Sequence, residues 1–196
     1  MGLKNVQEIA TQTYDEIAAA IRAIELERVD SGHSIARHGP QIKDNVLEDR
    51  VTTGIAADGK FSPTQASTRF TNYETWEKTR ELALKEIEKV KGIDLSKPPS
   101  GQISRYELTV EFDKPVDDGF VGNITTMQKI PNPRNPKRKG KVYSSTSSIQ
   151  GVTRTKTTIS WDGTSWKVVQ HIPWATDWNN VAKTYSSPAQ SFVKLP

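Results

Sequence analysis

The chain has 196 residues, of which 34% are hydrophobic and 26% charged, and it carries five Trp, five Tyr and five Phe. This composition favours a folded domain over wholesale disorder, and no apolar run approaches the roughly 18 residues that cross a membrane. The absence of cysteine excludes disulfides and thiol catalysis, and three histidines argue against a structural zinc site. We therefore expect neither a metal nor another cofactor.

Charge is distributed unevenly along the chain. Residues 1–100 carry a net charge of −2, whereas residues 101–196 carry +6. Much of the excess lies in residues 129–141, where six cations occur without an acid: Lys129, Arg134, Lys137, Arg138, Lys139 and Lys141. Such a run suits a polyanion such as RNA. It is equally typical of a solvated, proline-stiffened loop that only keeps a protein soluble, and both interpretations stay open.

The first hundred residues have helical periodicity. Apolar residues recur at steps of three and four from Val6 through Ile9 and Ala10 to Ile24, which is typical of an amphipathic helix. A possible capping box, Thr71-x-x-Glu74, precedes another helical segment, and residues 52–66 are predicted to form a loop. The predicted helices cover about residues 4–28, 34–37, 44–51 and 72–91.

Beyond residue 101 the apolar period changes to two, which predicts strands. Asp117-Asp118-Gly119 is predicted to turn the chain, Asp162-Gly163 is a hairpin signal, and residues 175–196 are predicted to pack over the sheet as a tail. The predicted strands cover residues 106–112, 143–149, 153–161 and 166–172. The expected class is α+β, with an N-terminal helical lobe packed on a mainly antiparallel, twisted β-sheet and a cleft between them.

Domain boundaries follow from this change of period. Residues 31–196 are predicted to be one domain, made of a helical lobe over 31–95 and a β lobe over 101–196. Residues 1–30 form either a lead-in helix or a part of that domain.

The segment from residue 31 to residue 40 is the most informative in the chain. His33 and His38 lie five residues apart beside glycines, with Arg37 between them. Histidine exchanges a proton near neutral pH, and arginine holds a phosphate through two parallel hydrogen bonds. Cleavage of RNA without a metal needs a base for the ribose 2′-OH, an acid for the departing 5′-oxygen and a cation for the phosphate oxygens. The segment therefore supplies the residue types that such a site needs, although structural, hydrogen-bonded histidines are the more common outcome of this spacing alone.

Three short motifs extend this interpretation: Gly-His-Ser-Ile-Ala-Arg-His-Gly at 32–39, Leu-Glu-Asp-Arg at 47–50, and Ala-Ser-Thr-Arg-Phe-Thr-Asn-Tyr-Glu-Thr-Trp at 66–76. Together they resemble the C-terminal toxin domains of bacterial contact-dependent growth-inhibition and other polymorphic toxins, and most of all the ribonuclease-A-like family of metal-free ribonuclease toxins. The resemblance covers roughly residues 31–175. It implies site positions at His33, His38, Arg50 and Thr68, and in the strand that ends at Pro173.

The resemblance also implies a biological role. Such a toxin is an endoribonuclease that cleaves RNA, with tRNA as one candidate, through attack of the 2′-OH and leaves a 2′,3′-cyclic phosphate. It is delivered as part of a larger secreted or cell-surface effector, acts in the cytoplasm of a competing bacterium, and is blocked by a cognate immunity protein, here expected to be acidic.

The last strand departs from the family pattern. Gln170 and Ile172 stand where the family has a Thr and an aromatic residue, and His171 lies between them. Side chains alternate along a strand, so His171 and Gln170 point to opposite faces. His171 is slightly favoured as the second member of an acid–base pair, but the sequence leaves the choice open. The predicted catalytic residues are His38, His33, His171, Arg50 and Thr68; the predicted substrate-binding residues are Gln170, Arg134, Lys137, Arg138, Lys139 and Lys141.

Two alternatives belong to other functional classes. One is a different toxin enzyme, such as an ADP-ribosyltransferase, in which Arg69 and Glu74 would be the residues to watch. The other is a non-catalytic module that uses its basic run to bind RNA or an acidic partner. The sequence holds no glycine-rich phosphate loop, no G-x-S-x-G and no H-E-x-x-H, which disfavours nucleotide-driven enzymes, serine hydrolases and zinc proteases.

Overall fold

Helices occupy the first half of the chain and most strands the second. The structure, a computed structural model, describes residues 3–179 and 181–196, with side chains from residue 13 onward. The described helices are α1 (Leu3–Asp30), α2 (Ser34–His38), α3 (Asp44–Thr53) and α4 (Tyr73–Lys91). Within the described residues, no helix combines the length and the apolar character needed to span a membrane.

The strands alternate with short turns after the first three helices. They are β1 (Ala66–Phe70), β2 (Arg105–Phe112), β3 (Asp117–Gly122), β4 (Met127–Asn132), β5 (Asn135–Tyr143), β6 (Thr146–Val152), β7 (Arg154–Trp161), β8 (Trp166–Pro173), β9 (Trp178–Asn179), β10 (Thr184–Tyr185) and β11 (Ser191–Val193), with a 3-10 turn at Ile124–Thr126. The predicted α+β class is confirmed, with helices mostly N-terminal and strands mostly antiparallel.

In the described part of the chain the strands form four sheets. Their orders are β1-β3-β6, β11-β2-β7-β8, β4-β5 and β9-β10. Every pair is antiparallel except that of the edge strand β11, which runs parallel to β2. The predicted tail therefore contributes a strand to the sheet edge as well as a small hairpin.

The main core lies between α4 and the four-stranded sheet. Ala83 and Ile87 of α4 pack with Leu108, Val110 and Ile159 of the sheet, and all five side chains are fully buried. The predicted capping box would make Thr71 the N-cap of α4, whereas the helix begins one residue later. Its N-cap is Asn72, whose side-chain oxygen accepts from the Thr75 N–H at 2.7 Å.

A second apolar cluster joins three helices to β1. It contains Ala23 of α1, Ile35 of α2, Phe70 of β1 and Trp76 of α4. The buried side of α1 carries small side chains, Ala19 and Ala23. Because these side chains are small, α4 can approach α1 closely. The isoleucine stripe that suggested an amphipathic helix is about half exposed instead, at Ile17, Ile21 and Ile24. The predicted stripe positions Val6, Ile9 and Ala10 lie outside the described side chains.

Residues 117–119 correct the predicted turn. They belong to β3, which pairs with β1 on one side and β6 on the other. Gly119 lies against β1 so closely that a Cβ atom would come within 2.1 Å of the Ser67 carbonyl oxygen. The glycine therefore marks a close approach of two strands, which the sequence does not distinguish from a turn.

The basic run at 129–141 also differs from the proline-stiffened loop considered above. It forms a hairpin of β4 and β5 that pair only with each other. Its tip is closed by the Asn132 side chain, which accepts from the Arg134 N–H at 2.8 Å. A two-stranded sheet tolerates proline because half of its N–H groups face outward and need no partner.

Candidate active site

His38 is placed by the short helix α2. At the start of this helix the Glu27 carboxylate accepts from the N–H groups of Ile35, at 2.6 Å, and Ala36, at 3.3 Å. At its end Gly39 is extended, which turns the chain away from the helix before Pro40. His38 is thus the last helical residue, and its ring points inward towards β1 with 6% of the residue exposed.

Two contacts fix the ring of His38. Its Nδ1 lies 2.7 Å from the Thr68 carbonyl oxygen, and its Nε2 lies 3.3 Å from Nη1 of Arg50. A carbonyl oxygen only accepts, so Nδ1 carries the ring proton in this contact and Nε2 accepts from the guanidinium. Burial, followed by the charge of Arg50, lowers the pKa of His38 to about 3. The structure therefore holds a neutral imidazole in the tautomer that a general base requires.

Arg50 lies on α3 and is 8% exposed. Its Nε donates to the Ser62 carbonyl oxygen at 3.0 Å and its Nη2 to the Ser62 hydroxyl at 3.3 Å. Within the described residues, no carboxylate lies within 4.0 Å of its guanidinium. Burial, followed by the charge of Arg37, lowers the pKa of Arg50 to about 10. A buried guanidinium next to a neutral ring, without a counterion, favours the binding of an anion.

The charges around this pair are mostly positive. Arg37 pairs with Asp58 at 2.9 Å, and Lys60 lies 3.7 Å from the same carboxylate. His33 is half-buried at the N-cap of α2, and its pKa is lowered by burial and then by Arg37. Asp58 offsets only one of the cations, so the cluster keeps a net positive charge beside His33 and His38.

Thr68 takes part through its backbone. Its carbonyl oxygen orients the ring of His38, and the residue is buried. Its side chain lies beside Asp117 of β3, and burial raises the pKa of that carboxyl well above its ordinary value although Thr68 opposes the shift. Thr68 is therefore a positioning residue in this geometry, because its hydroxyl faces the interior.

His171 is not brought into this cluster. Its ring is fully buried, stacks on Phe70 at 5.2 Å and meets the edge of Trp76 at 6.1 Å. Its Nδ1 lies 2.8 Å from the Thr157 hydroxyl and its Nε2 3.0 Å from the Thr79 hydroxyl. Burial, followed by the charge of Arg80, lowers the pKa of His171 to about 3. Both nitrogens are satisfied inside the protein, so the geometry favours a structural role.

Gln170 and the basic residues lie outside the His38 cluster. Gln170 is half-buried and points away from its neighbour His171, next to a register shift that places it opposite Thr158. The predicted cations Arg134, Lys137, Arg138, Lys139 and Lys141 are all exposed on the β4–β5 hairpin.

Some members of the cluster were not predicted. Asp58, Lys60 and Ser62 come from the loop between α3 and β1, and Asp117 comes from a strand more than 40 residues further on. Asp58-Gly59 reads only as a turn, and serine beside proline is common in loops. No local signal in the sequence links these residues to His38 or Arg50, because tertiary packing alone brings them together.

Among the described residues, no group of three or more His, Asp or Glu side chains is placed to hold a metal ion.

Comparisons with known proteins add a distant likeness. No protein-family model matches the sequence, and no curated protein matches it at a significant level. Among solved structures, the chain is similar to a chain of the "Crystal structure of CdiA-CT/CdiI complex from Y. kristensenii 33638". The two share 20% sequence identity with a TM-score of 0.44, over 73% of this chain and 99% of that chain. A likeness at this level of identity and TM-score does not assign a function to this chain. Function is therefore inferred from the geometry of the site and from the sequence motifs.

Proposed function

We propose that this protein is a metal-independent endoribonuclease toxin that cleaves RNA at the His38–Arg50 cluster. The observation that carries the proposal is the contact between a neutral, buried His38 and a buried Arg50 that has no carboxylate partner in the described residues. A base and a phosphate-binding cation are thereby held within 3.3 Å of each other. The motif resemblance points to the same two residues.

His38 is the proposed general base. The Thr68 carbonyl keeps the proton on Nδ1, so Nε2 is the atom that takes a proton from the ribose 2′-OH. This nitrogen is a weak base in the structure, because burial and then the charge of Arg50 lower the pKa of His38. A bound phosphodiester places negative charge between Arg50 and the ring, which raises the pKa of His38 towards the range of an effective base.

Arg50 is the proposed phosphate ligand. Its guanidinium turns from His38 Nε2 to the phosphate oxygens, and Ser62 keeps hold of Nε and Nη2 at the other side. The 2′-oxygen forms a bond to phosphorus as its proton goes to His38, and the bond from phosphorus to the 5′-oxygen breaks. Arg50 stabilises the charge that builds on the two non-bridging oxygens.

His33 is the proposed general acid. It lies at the N-cap of α2, is half-buried, and its ring makes no capping hydrogen bond to this helix. In its protonated form it gives a proton to the departing 5′-oxygen. The products are a 2′,3′-cyclic phosphate on one fragment and a 5′-hydroxyl on the other, and the exposed cations of the β4–β5 hairpin are proposed to bind RNA beyond the scissile bond.

The toxin role in this proposal comes from the sequence motifs. It includes delivery within a larger secreted or cell-surface effector, action in the cytoplasm of a competing bacterium, and inhibition by an acidic immunity protein. The positive charge of the His38 cluster and of the hairpin suits such a partner.

The ADP-ribosyltransferase alternative finds no support in the geometry. Arg69 is held by the Asp44 and Asp118 carboxylates at 2.7 and 2.9 Å and by the Ile42 carbonyl, and Glu74 pairs with Lys78 on the surface of α4. The two residues that this alternative needs are therefore engaged in separate structural contacts.

The decisive experiment is incubation of total RNA with the full chain in excess chelator, followed by gel analysis and mapping of the new ends. We expect fragments with 2′,3′-cyclic phosphate and 5′-hydroxyl ends. An otherwise identical reaction with His38→Gln serves as the control, because glutamine can still donate to the Thr68 carbonyl but cannot act as the base. Salt-sensitive RNA binding without any scission by the intact protein would contradict the proposal and leave a binding module.

A further inference from the structure

We propose that the outer face of the β4–β5 hairpin, formed by Lys129, Lys139 and Lys141, is the surface that holds the RNA strand beyond the scissile phosphate. This inference rests on the proposed function for the choice of RNA as the ligand. It separates these three lysines from the remaining cations of the same run, which lie at the hairpin tip.

Strand register places the three lysines together. Lys129 pairs directly with Lys141, and Pro131 pairs with Lys139. Paired residues of an antiparallel ladder share a face, as do residues two apart on one strand, so all three lysines project from the same face. Lys139 and Lys141 are about 6.8 Å apart along β5. This distance is similar to the one between successive phosphates of an RNA strand.

This arrangement is unfavourable on its own. Like charges directly opposite each other in an antiparallel pair repel, and Lys129 faces Lys141 in this way. Throughout the described residues, no carboxylate lies within 4.0 Å of any of the three ammonium groups. A polyanion that lies across the face removes the repulsion, and this is the property expected of a phosphate-binding surface.

Gly140 fixes which face is turned outward. A Cβ atom at Gly140 would come within 2.2 Å of Pro63 and 2.9 Å of Phe61. Strand β5 therefore lies directly on the loop between α3 and β1. Val142, two residues on, is buried on the same inner face. The lysines at 139 and 141 flank Gly140 and therefore face away from the body of the protein.

The same loop connects the hairpin to the candidate active site. Phe61 and Pro63 support Gly140, and Ser62 between them accepts from Nε of Arg50. One three-residue segment thus lies between the inner face of the hairpin and the proposed phosphate ligand. In this proposal, an RNA strand whose scissile phosphate is bound by Arg50 passes around the hairpin to reach its outer, lysine-bearing face.

The hairpin tip supplies a matched control. Arg134, Lys137 and Arg138 are exposed and carry the same total charge, but Arg134 lies in the tip turn and the register shift in β5 interrupts the regular alternation near residues 136–138. Substitution of three cations by Gln at either place changes the net charge of the protein equally. Any difference between the two triple variants therefore reports position and not charge.

The test measures binding of a fluorescent single-stranded RNA oligonucleotide by the full chain in the His38→Gln background, at several salt concentrations. We expect Lys129→Gln/Lys139→Gln/Lys141→Gln to weaken binding at least tenfold at low salt and to reduce the slope of log K against log salt by about 2. The tip triple should lose less than half as much. Circular dichroism of both variants checks that the hairpin and the fold are retained.

Equal losses in the two triple variants would overturn the proposal, because net charge alone would then explain binding. Unchanged RNA binding in both would also overturn it and leave the hairpin as a surface for an acidic protein. The failure of the proposed function is distinguishable from either result. In that case the wild-type protein cleaves no RNA in the chelator assay, whereas the binding comparison still gives its own answer.

Discussion

The regions around His38 and His171 hold two buried histidines of similar pKa in different surroundings. Burial lowers both pKa values to about 3. His171 contacts two hydroxyl groups and two aromatic rings, and none of it is exposed. His38 contacts a carbonyl group and a guanidinium without a carboxylate partner, and 6% of it is exposed. A low pKa therefore does not distinguish the two rings, whereas their partners do.

The comparison shows why an uncompensated cation matters. Both ring nitrogens of His171 have hydrogen-bond partners within the protein, so a ligand is not needed to satisfy the ring. Around His38 the buried Arg50 lacks a counterion among the described residues. A bound anion would provide the negative charge that this guanidinium lacks. The predictions below test whether the two regions differ in this way.

Apart from the proposed base itself, the largest effect is expected from Arg50. Arg50→Lys keeps the positive charge but loses the planar pair of donors, and we expect RNA cleavage to slow by about 10²- to 10³-fold. Arg154→Lys is the matched control, since Arg154 is equally buried but belongs to an ion pair with Glu111 at 2.7 Å. Its rate per folded molecule should stay near that of the wild type. Equal loss of rate per folded molecule in both variants would contradict a specific role for Arg50 at the site.

His171 is expected to affect stability instead of the rate. His171→Gln loses the stacking on Phe70 and disturbs the hydrogen bonds with Thr79 and Thr157, which should lower the free energy of unfolding by about 2–3 kcal/mol. Urea unfolding measures this change. A variant as stable as the wild type would contradict the structural role assigned to the ring.

Both histidines should make stability depend on pH. Their folded-state pKa lies below the unfolded value of 6.5, so the unfolded chain takes up protons first as the pH falls, and stability is lost between about pH 6.5 and pH 3. Between pH 7 and pH 5 each neutral ring should account for a loss of about 2 kcal/mol. His38→Gln should therefore reduce the pH dependence of urea unfolding, and an unchanged profile would show that His38 titrates normally.

Inorganic phosphate gives the smallest expected effect. At ten times its dissociation constant it should stabilise the folded protein by about 1.4 kcal/mol, because only the folded state holds the Arg50 site. Sodium chloride of equal ionic strength is the reference, and thermal unfolding is the measurement. Stabilisation of Arg50→Lys to the same extent as the wild type would place the anion elsewhere.

Periodicity predicted much of the fold. The helical and alternating apolar patterns placed α4, β2, β7 and β8 to within a residue or two, since each buries one regular face in the main core. Residues whose type fits two different local structures, such as a turn and a close approach of strands, were predicted less well. Gly119 reads as a turn because no local pattern reveals that a neighbouring strand passes within contact of it.

The sequence named candidate residues for the site but not the contacts that assemble them. The spacing of His33, Arg37 and His38 identified the segment, and the motif resemblance added Arg50 and Thr68. The partners that define the site, such as the Thr68 carbonyl and Ser62, are backbone atoms or loop residues without a sequence signature. His171 shows the converse, because its residue type suggested catalysis while its neighbours satisfy both ring nitrogens.

The most direct test compares cleavage of total RNA in excess chelator by His38→Gln and by His171→Gln, with rates expressed per folded molecule. We expect the first variant to be slower than the wild type by about 10²- to 10⁴-fold while it stays folded, and the second to cleave at close to the wild-type rate. Full activity in His38→Gln, or a selective loss in His171→Gln, would contradict the assignment of the base to residue 38.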